Sequence, residues 1–120
     1  MTLGRRQKGQ QGEAAAASFL LKNGYRLLEQ NFRCALGEID VVAEDKGEIV
    51  FVEVKARFSH LMGAPQEAVD WRKQKRLHRL AAYYLQRRGL SGRPCRFDVV
   101  AVWLDKTGEA VQIELIRGAF

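Results

Sequence analysis

Charged residues stand inside two otherwise apolar runs of this chain. Glu38 and Asp40 interrupt GEIDVVAED (37–45), and Glu53 and Lys55 interrupt IVFVEVKAR (49–57). Charge inside a strand of Val, Ile and Phe costs on the order of several kcal/mol unless it is paired or bound to a cation. Two carboxylates a few ångströms apart repel, so one takes up a proton or a cation sits between them. A hard divalent cation, Mg²⁺ or Mn²⁺, suits such a site because it takes oxygen ligands through one or two carboxylates and keeps its waters. Phosphodiester hydrolysis needs that combination of an activated water and charge relief on the phosphate. On this reading Asp40 and Glu53 hold the metal, and Lys55 orients the water or steadies the developing negative charge. A structural salt bridge between Glu53 and Lys55 is the alternative. No His or Cys cluster has the spacing of a zinc site.

The elements around these residues must bring them together. Glu44-Asp45-Lys46-Gly47-Glu48 reads as a turn between strands of about 36–44 and 48–57. The two-residue period places Glu38, Asp40 and Val42 on one face of the earlier strand, and Ile39, Val41 and Ala43 on the other. On the later strand Val50, Val52 and Val54 oppose Phe51, Glu53 and Lys55, so a hairpin would bring Asp40 near Glu53. A helix is predicted over Arg5–Asn23, ended by Lys22-Asn23-Gly24, with Ala16, Phe19 and Leu20 as an apolar stripe and Ala17 and Leu21 alongside. Gly9 and Gly12 suggest close backbone approach near Glu13, whose alternative reading is a solvated helix carboxylate. A strand over Tyr25–Arg33 follows. The loop Phe58–Ala64 leads to a long helix from Pro65 to about Arg88, with Leu77, Leu80, Ala81, Tyr84 and Leu85 facing the core. Arg72, Lys75, Arg76 and Arg79 form a separate basic face, which with Arg57 would hold flanking phosphates or would simply be the wet side of the helix. Phe97–Leu104 is apolar except for Asp98, as in a strand covered on both faces, and Ala110–Ile116 alternates like a more exposed one. The order predicts an α/β sandwich with a mixed sheet.

Composition sets the outer bounds. At 120 residues the chain is expected to form one domain spanning 1–120. Its 20 Lys and Arg exceed its 14 Asp and Glu by enough to give a net charge of +6, which leans towards polyanionic partners. Cys34 and Cys95 lack CxxC spacing, the start lacks an apolar signal core, and no run is long enough to cross a membrane. A cytoplasmic protein with no membrane partner is the expectation. His60 and His78 stand alone, and Ser59 has no triad spacing. Asp98 either joins the site or satisfies an edge or a buried Arg, the second being favoured. Trp71 and Trp103 read as packing residues.

Together, Gly12-Glu13, Gly24-Tyr25, Asn31-Phe32-Arg33, Gly37-Glu38-Ile39-Asp40, Val52-Glu53-Val54-Lys55-Ala56-Arg57, Glu67-Ala68-Val69, Lys73-Gln74 and Arg96-Phe97-Asp98-Val99-Val100 resemble the YraN-like family, and Asp40 with Glu53-Val54-Lys55 resembles the PD-(D/E)xK nuclease motif. The resemblance covers nearly the whole chain, and Ile39 stands where that motif often has Pro. It implies a restriction-endonuclease-like αβββαβ core, with a mixed sheet flanked by helices, similar to Holliday-junction resolvases. It further implies Asp40 and Glu53 as metal ligands, Lys55 as the catalytic lysine, and Glu13 as another acidic contributor. By the same resemblance, Lys73 and Gln74 match a basic or amide position on the second helix that could face the site. Junction resolvases act as dimers, so a homodimer is an expectation, although no apolar stripe marks its face. The leading expectation is a Mg²⁺-dependent nuclease on DNA, or less favourably RNA. The alternatives are a nucleic-acid-binding protein of the same fold without turnover, and a module whose basic helix docks an acidic protein.

Overall fold

The two apolar runs on either side of Lys46-Gly47 make the central hairpin of the computed structural model, which describes residues 5–59 and 69–120, with side chains from Gln7 onward. Strand β2 (Gly37–Asp45) pairs antiparallel with β3 (Glu48–Phe58), Asp45 lying opposite Glu48. Both turn residues have positive φ, 51° at Lys46 and 88° at Gly47, the twist a two-residue hairpin turn requires. Strand β1 (Arg26–Cys34) adds antiparallel to β2, β4 (Cys95–Leu104) parallel to β3, and β5 (Ala110–Ile116) antiparallel to β4, giving the sheet order β1-β2-β3-β4-β5. A parallel pair needs a crossover, and helix α2 (Trp71–Arg87) lies within it, while helix α1 (Arg5–Lys22) precedes the sheet. The result is an α/β fold, a mixed five-stranded sheet between two helices, consistent with a restriction-endonuclease-like core.

Two apolar clusters divide the layers. Leu77, Leu80, Ala81 and Tyr84 of α2 pack with Phe32, Ile39, Val42, Phe51 and Phe97. Ala16 and Leu20 of α1 pack with Val41, Ala43, Val50, Val52, Val100 and Val102 on the opposite face. Every residue of 97–104 is buried, as expected for a strand with a helix on each side. Helix α1 ends where its Lys-Asn-Gly signature predicts. Gly24 (φ 87°) and Tyr25 donate their N–H groups to the Leu21 and Leu20 carbonyls at 3.1 and 3.0 Å.

Five expectations change. Asp70 is extended (φ −74°, ψ 173°), and its side chain accepts the Lys73 N–H, so α2 begins at Trp71 rather than continuing from Pro65. Pro65, Glu67, His60 and most of the expected 58–64 loop lie outside the described residues, while Phe58 itself belongs to β3. Leu21, expected alongside the α1 stripe, faces solvent at 57% exposure. Trp71 is likewise exposed, at 60%, with Lys75 Nζ 4.5 Å from its ring centroid, whereas Trp103 is buried as expected. Finally, Ile39 packs with α2, and Val41 with α1. The expected two-residue alternation therefore breaks at Asp40.

Asp98 takes the second of its two predicted roles. Fully buried, it accepts hydrogen bonds from the Tyr25 hydroxyl at 2.9 Å, from Arg96 Nε at 3.1 Å and from the Gly118 N–H at 3.0 Å. Arg96 also reaches Asp45 at 2.7 Å and Glu48 at 3.0 Å. The network satisfies every charge it buries, which such burial demands.

Candidate metal centre

The break at Asp40 builds the site. Pairing between β2 and β3 ends at Val41–Val52, and Asp40 Oδ2 accepts the Val54 N–H at 2.8 Å just beyond it. Asn31 lies on β1 between Gln30, which pairs with Val41, and Phe32, which pairs with Ile39; its φ is 55°. Neither strand keeps a regular pleat here, which is why face assignment by alternation fails at this level of the sheet.

Helix α1 reaches the same level through a glycine. A Cβ on Gly12 would lie 2.5 Å from the Ala56 Cβ, so the absence of a side chain lets the helix settle directly on β3. This is the close approach that the glycine spacing suggests. The next residue, Glu13, points to the strand break, and one carboxylate oxygen from each of Glu13, Glu38 and Asp40 lies within 4.8 Å of the other two. Glu38 is absent from the ligand set drawn from the sequence, although its interruption of an apolar run is the signal that would have found it.

Glu53 and Lys55 share the α2-facing side of β3 with Phe51, as alternation predicts. Glu53 is 8% exposed, and its Oε1 receives Lys73 Nζ from α2 at 2.5 Å and Lys55 Nζ at 3.3 Å. A cleft of about 300 Å³ brings Asp40, Glu53 and Glu38 together with Lys73 and Arg76, floored by Leu77 and Leu80. Thus Asp40 and Glu53 border one cavity, but Glu53 already holds two ammonium groups, and the group of three carboxylates is Glu13, Glu38 and Asp40.

The electrostatics follow from crowding and burial. Loss of solvent, then the Glu53 charge, pushes the Asp40 carboxyl up to about 7 against the lowering hydrogen bond from Val54. Burial and Glu38 raise the Glu13 carboxyl, opposed by Arg33. Burial, with Lys73 alongside, draws the Lys55 ammonium below its usual range, although Glu53 opposes this. Burial also draws Lys73 down, but its hydrogen bond to Glu53 and the charges of Glu53 and Asp40 oppose this, and it is left raised. A group of like-charged carboxylates that resists full ionisation is compatible with a cation site, and oxygen donors of this kind are those Mg²⁺ or Mn²⁺ takes.

The basic residues separate into different surroundings. Arg72, Lys75, Arg76 and Arg79 are exposed on α2, with Arg76 at the cleft, whereas Lys73 belongs to the site itself. Gln74 Nε2 donates to the Val69 carbonyl at 3.0 Å, holding the start of the helix. Arg57 is half-buried on β3. No helix among the described residues is long and apolar enough to cross a membrane.

The model of the family described as "Uncharacterised protein family UPF0102" matches residues 12–102, a span containing Glu13, Glu38, Asp40, Glu53, Lys55 and Lys73. The chain is 62% identical over 120 residues to a UPF0102 protein of Moorella thermoacetica, covering 100% of each chain. It is 51% identical over 112 residues to one from Syntrophus aciditrophicus, covering 93% of this chain and 87% of that one. A Symbiobacterium thermophilum relative is 50% identical over 115 residues, covering 96% and 97%.

Proposed function

The chain belongs to the UPF0102 family, and we propose that it is a divalent-cation-dependent nuclease hydrolysing phosphodiester bonds in DNA or structured nucleic acid. The observation that carries this is the meeting of Glu13, Glu38 and Asp40 within 4.8 Å, beside Glu53 and Lys55. Those carboxylates, with Glu53 at their side, would hold Mg²⁺ or Mn²⁺. When bound, the cation supplies charge relief at the phosphate and a more acidic water. The Lys55 ammonium, anchored on Glu53, faces the developing negative charge. Lys73 holds the Glu53 carboxylate in place, and Arg76 with the exposed cations of α2 receives the flanking phosphates. The resemblance to junction resolvases extends the proposal to a homodimer, which sedimentation would read as a doubled mass.

A second reading has its own observation. Glu53 is satisfied by Lys73 and Lys55 without any metal, as in a site that binds nucleic acid and does not cut it. Incubation with linear, flapped and four-way-junction DNA, with and without Mg²⁺ or Mn²⁺, separates the two. The nuclease reading expects metal-dependent cleavage that Asp40→Asn abolishes. It fails if wild type cuts nothing, or if wild type and the variant cut alike. Binding that persists without cleavage and weakens steeply with salt is the result expected of the second reading.

A further inference from the structure

A second cleft, of about 320 Å³, opens beside the carboxylate group and is lined by Gly9, Gln10, Glu13, Asn31, Arg33 and Glu38. Glu38 borders both clefts, with Asp40 on the first and Glu13 on the second. The three carboxylates therefore form the ridge between them. Cations stand on either side of that ridge: Lys73 and Arg76 in the first cleft, Arg33 in the second.

The second cleft supplies hydrogen-bond donors of the kind a phosphate and sugar need. Gln10 and Asn31 bring carboxamides. Arg33 uses Nε towards Glu38 Oε2 at 3.2 Å, and a guanidinium has four further N–H donors for another acceptor. Asn31 is held on this wall by a left-handed backbone inside a strand, a conformation uncommon for a residue with a side chain. On the facing helix, Gly9 leaves the cleft open, since a Cβ there would meet nothing within 4 Å. Alanine would favour the helix at this position, so helix stability does not explain the glycine.

We propose that this cleft is a nucleotide subsite: Arg33, Asn31 and Gln10 seat the phosphate and sugar next to the phosphodiester that lies over Asp40. The polyanion crosses the acidic ridge with cations on both flanks, and the divalent cation offsets the ridge itself. This inference rests on the nuclease reading for the placement of the reacting phosphate, and it adds a second point of grip that none of the α2 cations provides.

The test uses two variants chosen to spare the fold. Asn31→Gly removes the carboxamide while suiting the left-handed backbone, and Gly9→Leu fills the cleft from a helix position where an added Cβ meets nothing within 4 Å. Both are titrated by fluorescence anisotropy with a fluorescein-labelled single-stranded oligonucleotide in Ca²⁺, a condition that needs no turnover, alongside thermal melts. The expected result is about a tenfold weaker affinity for each, with melting temperature unchanged or raised. Affinities equal to wild type in both variants overturn the subsite and leave the nuclease reading standing. Wild type that never cleaves, yet binds and is weakened by both changes, overturns the nuclease reading and supports the subsite as a binding site. Wild type that does not bind the oligonucleotide overturns both.

Discussion

The Asp40 carboxylate stands where a strand carbonyl would, its Oδ2 accepting the Val54 N–H at 2.8 Å just past the last β2–β3 pair. One side chain thus closes the ladder and faces the cleft. Asp40→Asn keeps an acceptor for Val54 and removes the charge. At about pH 4 and below, where Asp40 is protonated, it should retain the wild-type stability to within about 1 kcal/mol, while at neutral pH metal affinity falls at least about tenfold. Asp40→Ala should lose both. Melts paired with Mn²⁺ titrations check the distinction.

Protonation of Asp40 gives a pH signature. Its carboxyl is raised from 3.8 to about 7, through burial first and the Glu53 charge second. A raised carboxyl means that the folded state binds more protons than the unfolded chain between those values. The stability it contributes is therefore full below about pH 4 and lost as pH rises through about 7. Metal-free unfolding curves in urea should show this decline, and Asp40→Asn should flatten it. Added Mg²⁺ should stabilise most above pH 7, where it no longer competes with the proton.

The Lys73–Glu53 pair should respond to metal. Lys73→Gln leaves a nearly buried carboxylate with Lys55 as its remaining ammonium partner among the described residues. Breaking a buried pair costs several kcal/mol, but Lys73 is a third exposed, so a loss of about 1–2 kcal/mol is expected. Divalent cations should recover much of it by taking the vacated carboxylate. Calorimetric melting with and without Mg²⁺ reads both effects.

Gly12 and Ala56 should behave as one contact. Gly12→Ala favours the helix by about 1 kcal/mol, but its Cβ would stand 2.5 Å from that of Ala56. Overpacking at this level costs about 1–3 kcal/mol and lifts Glu13 from the other carboxylates. Adding Ala56→Gly should restore stability beyond the sum of the single changes. A double-mutant cycle by denaturant unfolding tests the coupling.

The exposed cations of α2 should act through charge alone. Replacing Arg72, Arg76 and Arg79 with alanine should weaken duplex binding evenly across sequences and lower the slope of log K against log salt by about 0.9 for each phosphate that is no longer neutralised. Anisotropy titrations over a salt series would read the slope. An unchanged slope would make this face merely the wet side of the helix.

Much of this architecture was legible in the residues. The Lys46-Gly47 turn, the opposed faces of β3, the capped end of α1, the doubly covered β4 and the order of elements follow from periods of 2 and 3.6 and from turn chemistry, all written within a few neighbouring positions. Asp40, Glu53 and Lys55 stood out because charge inside an apolar strand is costly. Alternation misled at Ile39, because Asp40 leaves the pleat to reach Val54 and Asn31 adopts a left-handed backbone opposite it. The helix expected from Pro65 overran its true start, because Asp70 turns its carboxylate onto the Lys73 N–H.

The partners of the charged residues belong to the tertiary structure. Nothing local joins Glu13 to Glu38 and Asp40; they meet because Gly12 rests against Ala56 and brings α1 down at the break in the sheet. Nothing local assigns Lys73 to Glu53 either, since that pair depends on where α2 packs over β3. A residue's preference for helix, strand or turn is set by its neighbours in the chain. A carboxylate's neighbours in space are set by packing between elements distant in sequence, and those neighbours govern whether it pairs, takes up a proton or binds a cation.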